Sequence, residues 1–265
     1  MQIPADRWYD AIFQRHSRRQ FDRRTLPKDF VTKLLDFSQQ LNDQITGARV
    51  VVVTEDPGRI FKGAIGSYGK IKGAPAYSAF IGNMDDPNVQ EKVGYLGEYF
   101  ILEATSMGLA TCWVGGFFRP DVVQTQICVN SNEQVLAVSP IGFTQKEYTL
   151  EEKILSGFAK SHKRKNLEAL CLTLPQEPLP IWISSALEAA RLAPSAVNRQ
   201  PWRFTVENGM IKISVDNKKD SYQISKRLDC GIAMAHIEIG AKHEGVQGQW
   251  EYLDDIDVAR FKLVN

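Results

Sequence analysis

The sequence predicts an α+β protein built as two similar halves in tandem. Three observations predict it. Helical and β-branched segments alternate along the 265 residues. A Leu-Pro pair followed by a helix and then a strand occurs at Leu26-Pro27 and again at Leu179-Pro180. Sliding the chain by 137 positions sets Gly94 on Gly231, Ala104 on Ala241, Gly108 on Gly245 and Trp113 on Trp250. A weak repeat of roughly seventy residues or more is not a solenoid period.

The elements follow from periodicity and punctuation. Arg7 to Arg15 reads as an amphipathic helix with Trp8, Ile12 and Phe13 on one side. Asp29 to Leu41 is a second helix, started by Pro27. The β-branched run Arg49 to Thr54 and the segment Tyr77 to Gly82 read as strands. Asn88 to Met107 is the longest helical stretch, stopped by Gly108. Ala110 to Val114 and Gln134 to Ile141 read as further strands. A basic loop and the prolines Pro175, Pro178 and Pro180 mark a seam within residues 156–180. Beyond it come a helix over Ile181 to Leu192, strands over Arg203 to Val206 and Met210 to Val215, and a helix over Asp229 to His243.

Composition excludes several classes of function. The net charge of +1 leaves no electrostatic footprint for nucleic acid. No apolar run approaches the ~20 residues that span a bilayer. The N-terminus lacks the apolar stretch of a signal peptide. Cys112, Cys128, Cys171 and Cys230 show no metal-ligand or CxxC spacing, so reduced thiols in a cytoplasmic protein are expected. His236 and His243 share a helix face but have no evident third ligand. Gly63 to Gly69 lacks the spacing of a dinucleotide fingerprint, and no G-x-S-x-G elbow is present.

Two motifs carry chemistry. In Arg15-His16-Ser17-Arg18-Arg19-Gln20-Phe21-Asp22, an extended backbone would aim Arg15, Ser17 and Arg19 the same way. Guanidinium forks grip phosphate oxygens in a bidentate way, although a solvated basic cluster reads the same. In Ala193-Pro194-Ser195-Ala196-Val197-Asn198-Arg199-Gln200-Pro201-Trp202, two prolines bracket a turn carrying short polar side chains that reach a ligand without bulk. A plain Asx turn is the alternative. Each motif occurs once: residues 41–48 hold no Pro-Ser-x-x-Asn, and nothing like Arg15 to Arg19 precedes residue 180.

These motifs resemble the signatures of the FMN-dependent nitroreductase family, and most closely its single-chain, internally duplicated branch. The resemblance is strongest over residues 13–22, 94–118 and 193–206. It implies a mixed central sheet wrapped by helices with pseudo-two-fold symmetry. The first half covers residues 1–160, a basic connection 161–174, and the second half 175–265. It further implies that the halves build one flavin site between them, where family members use a dimer interface.

The resemblance assigns the site residue by residue. Arg15, Ser17 and Arg19 fall on the phosphate and the pyrimidine edge of the ring, with His16 contributing backbone and packing. Ser195 and Asn198, with Pro194, come from the opposite half to the ring and ribityl hydroxyls. Arg164, within Lys163-Arg164-Lys165, closes on the phosphate, unless that run is simply a solvated loop. Gly115 and Gly116 let backbone amides approach the ring, where they would stabilise charge on its reduced form; a simple turn is the alternative. Lys70, or else Lys72, falls near the pyrimidine carbonyl. The implied activity is hydride transfer from NADH or NADPH through flavin N5 to a nitroaromatic, quinone or similar small acceptor. A non-catalytic flavin-binding sensor, or a different flavin reaction on the same fold, is the alternative. A monomer that binds neither membrane nor nucleic acid is expected.

Overall fold

The computed structural model describes residues 3–55, 57–61, 71–145, 163–173, 178–219 and 223–264. Lys70 and Gly63 to Gly69 lie outside the described residues, as does much of the 156–180 seam. The first part of the chain runs α1 (Ala5–Gln14), α2 (Lys28–Gln44), β1 (Ala48–Val53), α3 (Gly58–Phe61), β2 (Ala76–Asn83), α4 (Val89–Ser106), β3 (Ala110–Thr111), α5 (Pro120–Gln126) and β4 (Glu133–Gly142). A short connection holds α6 (Leu167–Leu170) and β5 (Cys171–Thr173). The second part holds α7 (Ile181–Arg191), a 3-10 turn at Ala196–Asn198, β6 (Trp202–Glu207), β7 (Met210–Val215), α8 (Lys226–His243), β8 (Gly248–Tyr252) and β9 (Asp257–Leu263).

The α+β class holds, and each half carries its own sheet. The first is antiparallel in the order β1-β2-β4-β3. The second has the order β5-β6-β7-β9-β8 and is mixed, because β5 joins β6 in parallel. Without β5, the second order, β6-β7-β9-β8, repeats the first strand for strand. In both halves a helix precedes the first strand (α2, α7), and a helix of 18 residues follows the second (α4, α8).

Strands β8 and β9 lie beyond the last element predicted from the sequence, and they complete the second sheet. Along β9, Val258, Ala259 and Phe261 are buried, while Arg260 and Lys262 reach across to Glu251 of β8. That is the alternation of a half-buried strand. Conversely, the strand expected over Ala110 to Val114 pairs only at Ala110 and Thr111, with an isolated bridge from Val114 to Val138.

The core is centred on α4 against α8. Both helices are buried nearly all round, which is why neither has a clear polar stripe. Two glycines allow the contact. A Cβ on Gly94 would lie 2.1 Å from the Leu228 carbonyl oxygen, and one on Gly231 would lie 2.1 Å from that of Glu91. One apolar cluster spans both halves, from Trp8, Leu34 and Phe100 to Leu187, Phe204 and Phe261. A smaller cluster lies on the other face of the first sheet, where Tyr77, Ala79 and Ile81 of β2 meet Ile60 of α3 and Val123 of α5. Buried on both faces, β2 reads as a continuous apolar run.

Candidate functional site

Arg15 ends α1, and the chain then runs extended to Phe21. Parallel bridges hold this run at Ser17 to Thr111 and at Gln20 to Lys72. The Arg18 amide donates to the Thr111 carbonyl at 2.9 Å, and the Lys72 amide to that of Arg19 at 2.9 Å. The extended conformation matches expectation, but burial does not follow the expected alternation. Arg15 and Arg18 are buried, Ser17 and Arg19 half-buried and His16 exposed. Arg15 still belongs to the helix end, so it is out of register with the strand-like residues. Arg18, passed over in the sequence, donates from Nη1 to the Gln145 carbonyl at 3.0 Å.

The Arg15 guanidinium is enclosed, yet its Nε and Nη1 have no hydrogen-bond partner among the described residues. Its nearest counter-charge is Glu98 Oε1, at 3.9 Å from Nε. A second guanidinium, that of Arg164 within the basic connection, lies near enough for the two charges to interact. Burial first, and then the charges of Arg15 and Arg191, push Arg164 down to about 10. A buried and a half-buried cation repelling one another make a site electrostatically suited to an anion.

The Pro194 to Pro201 loop fixes Arg164. Asn198 accepts at Oδ1 from Arg164 Nη1 (2.9 Å) and donates from Nδ2 to the Lys163 carbonyl (2.8 Å). Gln200, buried, accepts from the Lys165 amide at 2.8 Å, and Lys165 Nζ donates to the Arg199 and Gln200 carbonyls. The side chains of Arg164 and Lys165 are therefore laced to the loop, while Lys163 is exposed and joins it through its carbonyl. The loop backbone is strained, with Val197, Asn198 and Gln200 all at positive φ (50°, 56° and 49°). Such conformations persist where neighbours over-determine them, and they cluster at functional sites. Here Asp229, in the first turn of α8, accepts from the Ala196 amide (3.0 Å) and from Arg199 Nε (2.7 Å). Ser195 Oγ accepts from the Gln200 amide at 2.9 Å, so it serves the turn. Pro194 is buried beneath it.

The glycine pair lies on the same junction. Gly115 faces Ile224 of the second half, whose Cδ1 would be 3.1 Å from a Cβ there. Gly116 is exposed beside Phe117. Gly97 makes room for the Trp113 ring, so the indole N–H donates to Glu98 Oε2 at 2.7 Å. The structure thus brings together Arg15, Arg164 and Asn198, with Pro194 and Ser195 in the same loop. Lys70 lies outside the described residues, and Lys72 is exposed with its backbone holding the Arg19 segment. Sequence reading missed Glu98, Gln200 and Asp229, and weighed His236 only as a metal ligand with His243. The contacts of Glu98, Asp229 and His236, and that of Gln200 with Lys165, join residues remote in sequence. Among the described residues, no group of three or more His, Cys, Asp or Glu is placed to hold a metal ion. No described helix is long and apolar enough to cross a membrane.

A sequence model of the family described as "Putative TM nitroreductase" matches residues 7–241. The chain belongs to this family. It is accordingly an oxidoreductase of nitroreductase type. A solved structure from Thermotoga maritima, described as a putative nitroreductase, is 19% identical with a TM-score of 0.65, covering 97% of this chain and 93% of its own. A nitroreductase family protein from Clostridium difficile is 20% identical with a TM-score of 0.45, covering 65% of this chain and 98% of its own. A nitroreductase with bound FMN from Bacteroides fragilis is 20% identical with a TM-score of 0.43, covering 54% and 91%. No curated protein matches the chain significantly.

Proposed function

We propose that this nitroreductase family member binds one FMN per chain, with the phosphate between Arg15 and Arg164. The observation that carries the reading is the enclosed Arg15 guanidinium, whose Nε and Nη1 lack hydrogen-bond partners among the described residues, beside a second, half-buried arginine. A phosphate dianion would satisfy these donors and relieve the repulsion between the two cations. Bound there, FMN supplies hydride chemistry between NADH or NADPH and a nitroaromatic, quinone or similar small acceptor, in a ping-pong sequence. The chain's own residues bind and orient. Asn198 holds Arg164 toward the junction, and Asp229 holds the strained loop that carries Asn198. Arg19, Ser17 and the Gly115-Gly116 backbone border the remaining face.

One site per chain is supported by what stands at the pseudo-equivalent place. The 137-residue shift carries Gly115 onto Tyr252, which is partly buried near Tyr95. Tyr95 donates to Glu238 and accepts from the Tyr99 hydroxyl at 2.7 Å. A phenol, that of Tyr252, stands at the position where the other junction has a glycine. We read the two halves as an internal duplication in which one site survived, so the chain would act as a monomer.

The test is the absorption spectrum of the purified protein, identification of the released flavin, and NADH and NADPH oxidation with a nitroaromatic or quinone acceptor. A stoichiometry near one FMN per monomer by light scattering is expected. Flavin retained only by a dimer, or no flavin bound on reconstitution, overturns the reading.

A further inference from the structure

Glu98 of α4 and His236 of α8 are both fully buried and meet across the two halves. His236 Nδ1 is 2.8 Å from the Ala189 carbonyl oxygen, which can only accept, so Nδ1 carries a hydrogen. His236 Nε2 is 2.9 Å from Glu98 Oε1, and a hydrogen bond there requires one proton between the two atoms. Wherever that proton resides, the pair has no net charge: a carboxylate with an imidazolium, or a carboxylic acid with a neutral ring. The other carboxyl oxygen, Oε2, is taken by the Trp113 indole N–H. Arg15 Nε stands 3.9 Å from Oε1 and makes no hydrogen bond to it. Without that shared proton the pair would carry a net negative charge and face Arg15 with an uncompensated carboxylate at this distance. In an interior of low dielectric it would draw the guanidinium in and cancel its charge.

We propose that His236 is a positioning residue that acts through Glu98: it keeps the Glu98 carboxyl from capturing Arg15, which leaves the guanidinium to the flavin phosphate. The inference rests on the FMN reading above. It concerns the charge offered to a phosphate and not the chemistry of the ring. Its signature is therefore the preference for FMN over riboflavin, which lacks the phosphate.

The experiment measures dissociation constants of both flavins for the wild-type chain and for His236→Gln, Glu98→Gln and the double variant, with thermal melts to check folding. Glutamine at 236 can donate to Glu98 but cannot carry a charge. The His236→Gln variant should lose preference for FMN by about tenfold, a change typical of one unbalanced charge near the phosphate. Adding Glu98→Gln should restore the preference to within about threefold of wild type, because no carboxylate is left to compete. An unchanged preference in His236→Gln, or a double variant as impaired as the single, overturns the proposal. Should His236→Gln fail to fold, Glu98→Gln decides alone. The proposal requires its preference to stay near wild type, whereas a Glu98 that Arg15 needs as counter-ion would make it fall about tenfold. A wild-type chain with no preference for FMN would sink the phosphate reading itself, which separates the two failures.

Discussion

Gly94 and Gly231 each press against the backbone of the helix that carries the other. Gly94 faces the Leu228 carbonyl and Gly231 faces the Glu91 carbonyl, both at 2.1 Å from an added Cβ. The same shift of 137 residues that carries Gly94 onto Gly231 carries Glu91 onto Leu228. The contact is thus reciprocal, as across the two-fold axis of a symmetric dimer. It sets how closely α4 and α8 approach, and so how Arg15 of the first half faces Arg164 of the connection and Asn198 of the second half.

Alanine at either glycine should be costly and the costs should be alike. A Cβ 2.1 Å from a backbone oxygen cannot be absorbed by rotating a side chain, so the helices must part. Gly94→Ala and Gly231→Ala are each expected to lower stability by about 3 kcal/mol, the upper part of the overpacking range. Gly108→Ala is the control, since Gly108 has open space around it and φ of +80°. It should cost about 1–2 kcal/mol from backbone conformation alone. Urea denaturation midpoints check the ranking.

Arg15→Ala should weaken FMN far more than riboflavin. Loss of a charge-assisted bond to phosphate costs about 1.5–3 kcal/mol, roughly tenfold to a hundredfold in affinity. Equal losses for the two flavins would place Arg15 at the ring or in folding instead.

Asn198→Ala and Asn42→Ala should separate cleanly. Asn198 bonds both Arg164 and the Lys163 carbonyl, so its loss should weaken FMN binding and shrink the thermal stabilisation that FMN confers. Asn42 has another task. Its amide donates to the Val50 carbonyl at 2.9 Å and accepts from the Val50 amide at 2.7 Å, doing at the edge of β1 what a neighbouring strand would do. Asn42→Ala should therefore cost about 1–3 kcal/mol of stability by orphaning buried backbone groups. Flavin affinity should stay near wild type. Flavin lost from the Asn42 variant but not from the Asn198 variant would reverse the assignment of working and degenerate half-sites.

Arg164→Gln should set stability against binding. The Arg164 charge is disfavoured in the folded chain by burial and by Arg15 and Arg191, so a neutral side chain that can still reach Asn198 removes an unfavourable interaction. Without flavin, the melting temperature should stay level or rise, while added FMN should stabilise the variant much less than wild type. A large loss of stability in the flavin-free variant would show that Arg164 is a structural strut and not a ligand for phosphate.

The sequence by itself determined the local elements and the inventory of the site. Pro27, Pro180, Gly108 and Gly245 punctuate helices through backbone rules that act within a few residues. The Arg15 and Pro194 motifs are contiguous strings, and the 137-residue shift is visible wherever both copies kept a glycine or a tryptophan. Tertiary structure alone decided which of these residues meet. Arg15 and Arg164 feel one another's charge across 149 residues, and no local pattern records that. In the sequence Glu98 carries no signal and His236 pairs by spacing only with His243, and the Glu98–His236 contact appears only when residues 138 apart share one interior. Asn42 lies in the stretch that lacks the Pro-Ser-x-x-Asn motif, and only the fold shows its task, against Val50. Short-range sterics and periodicity leave marks in neighbouring residues. Buried charge compensation is a property of the assembled interior, where low dielectric makes each unmatched proton or cation count.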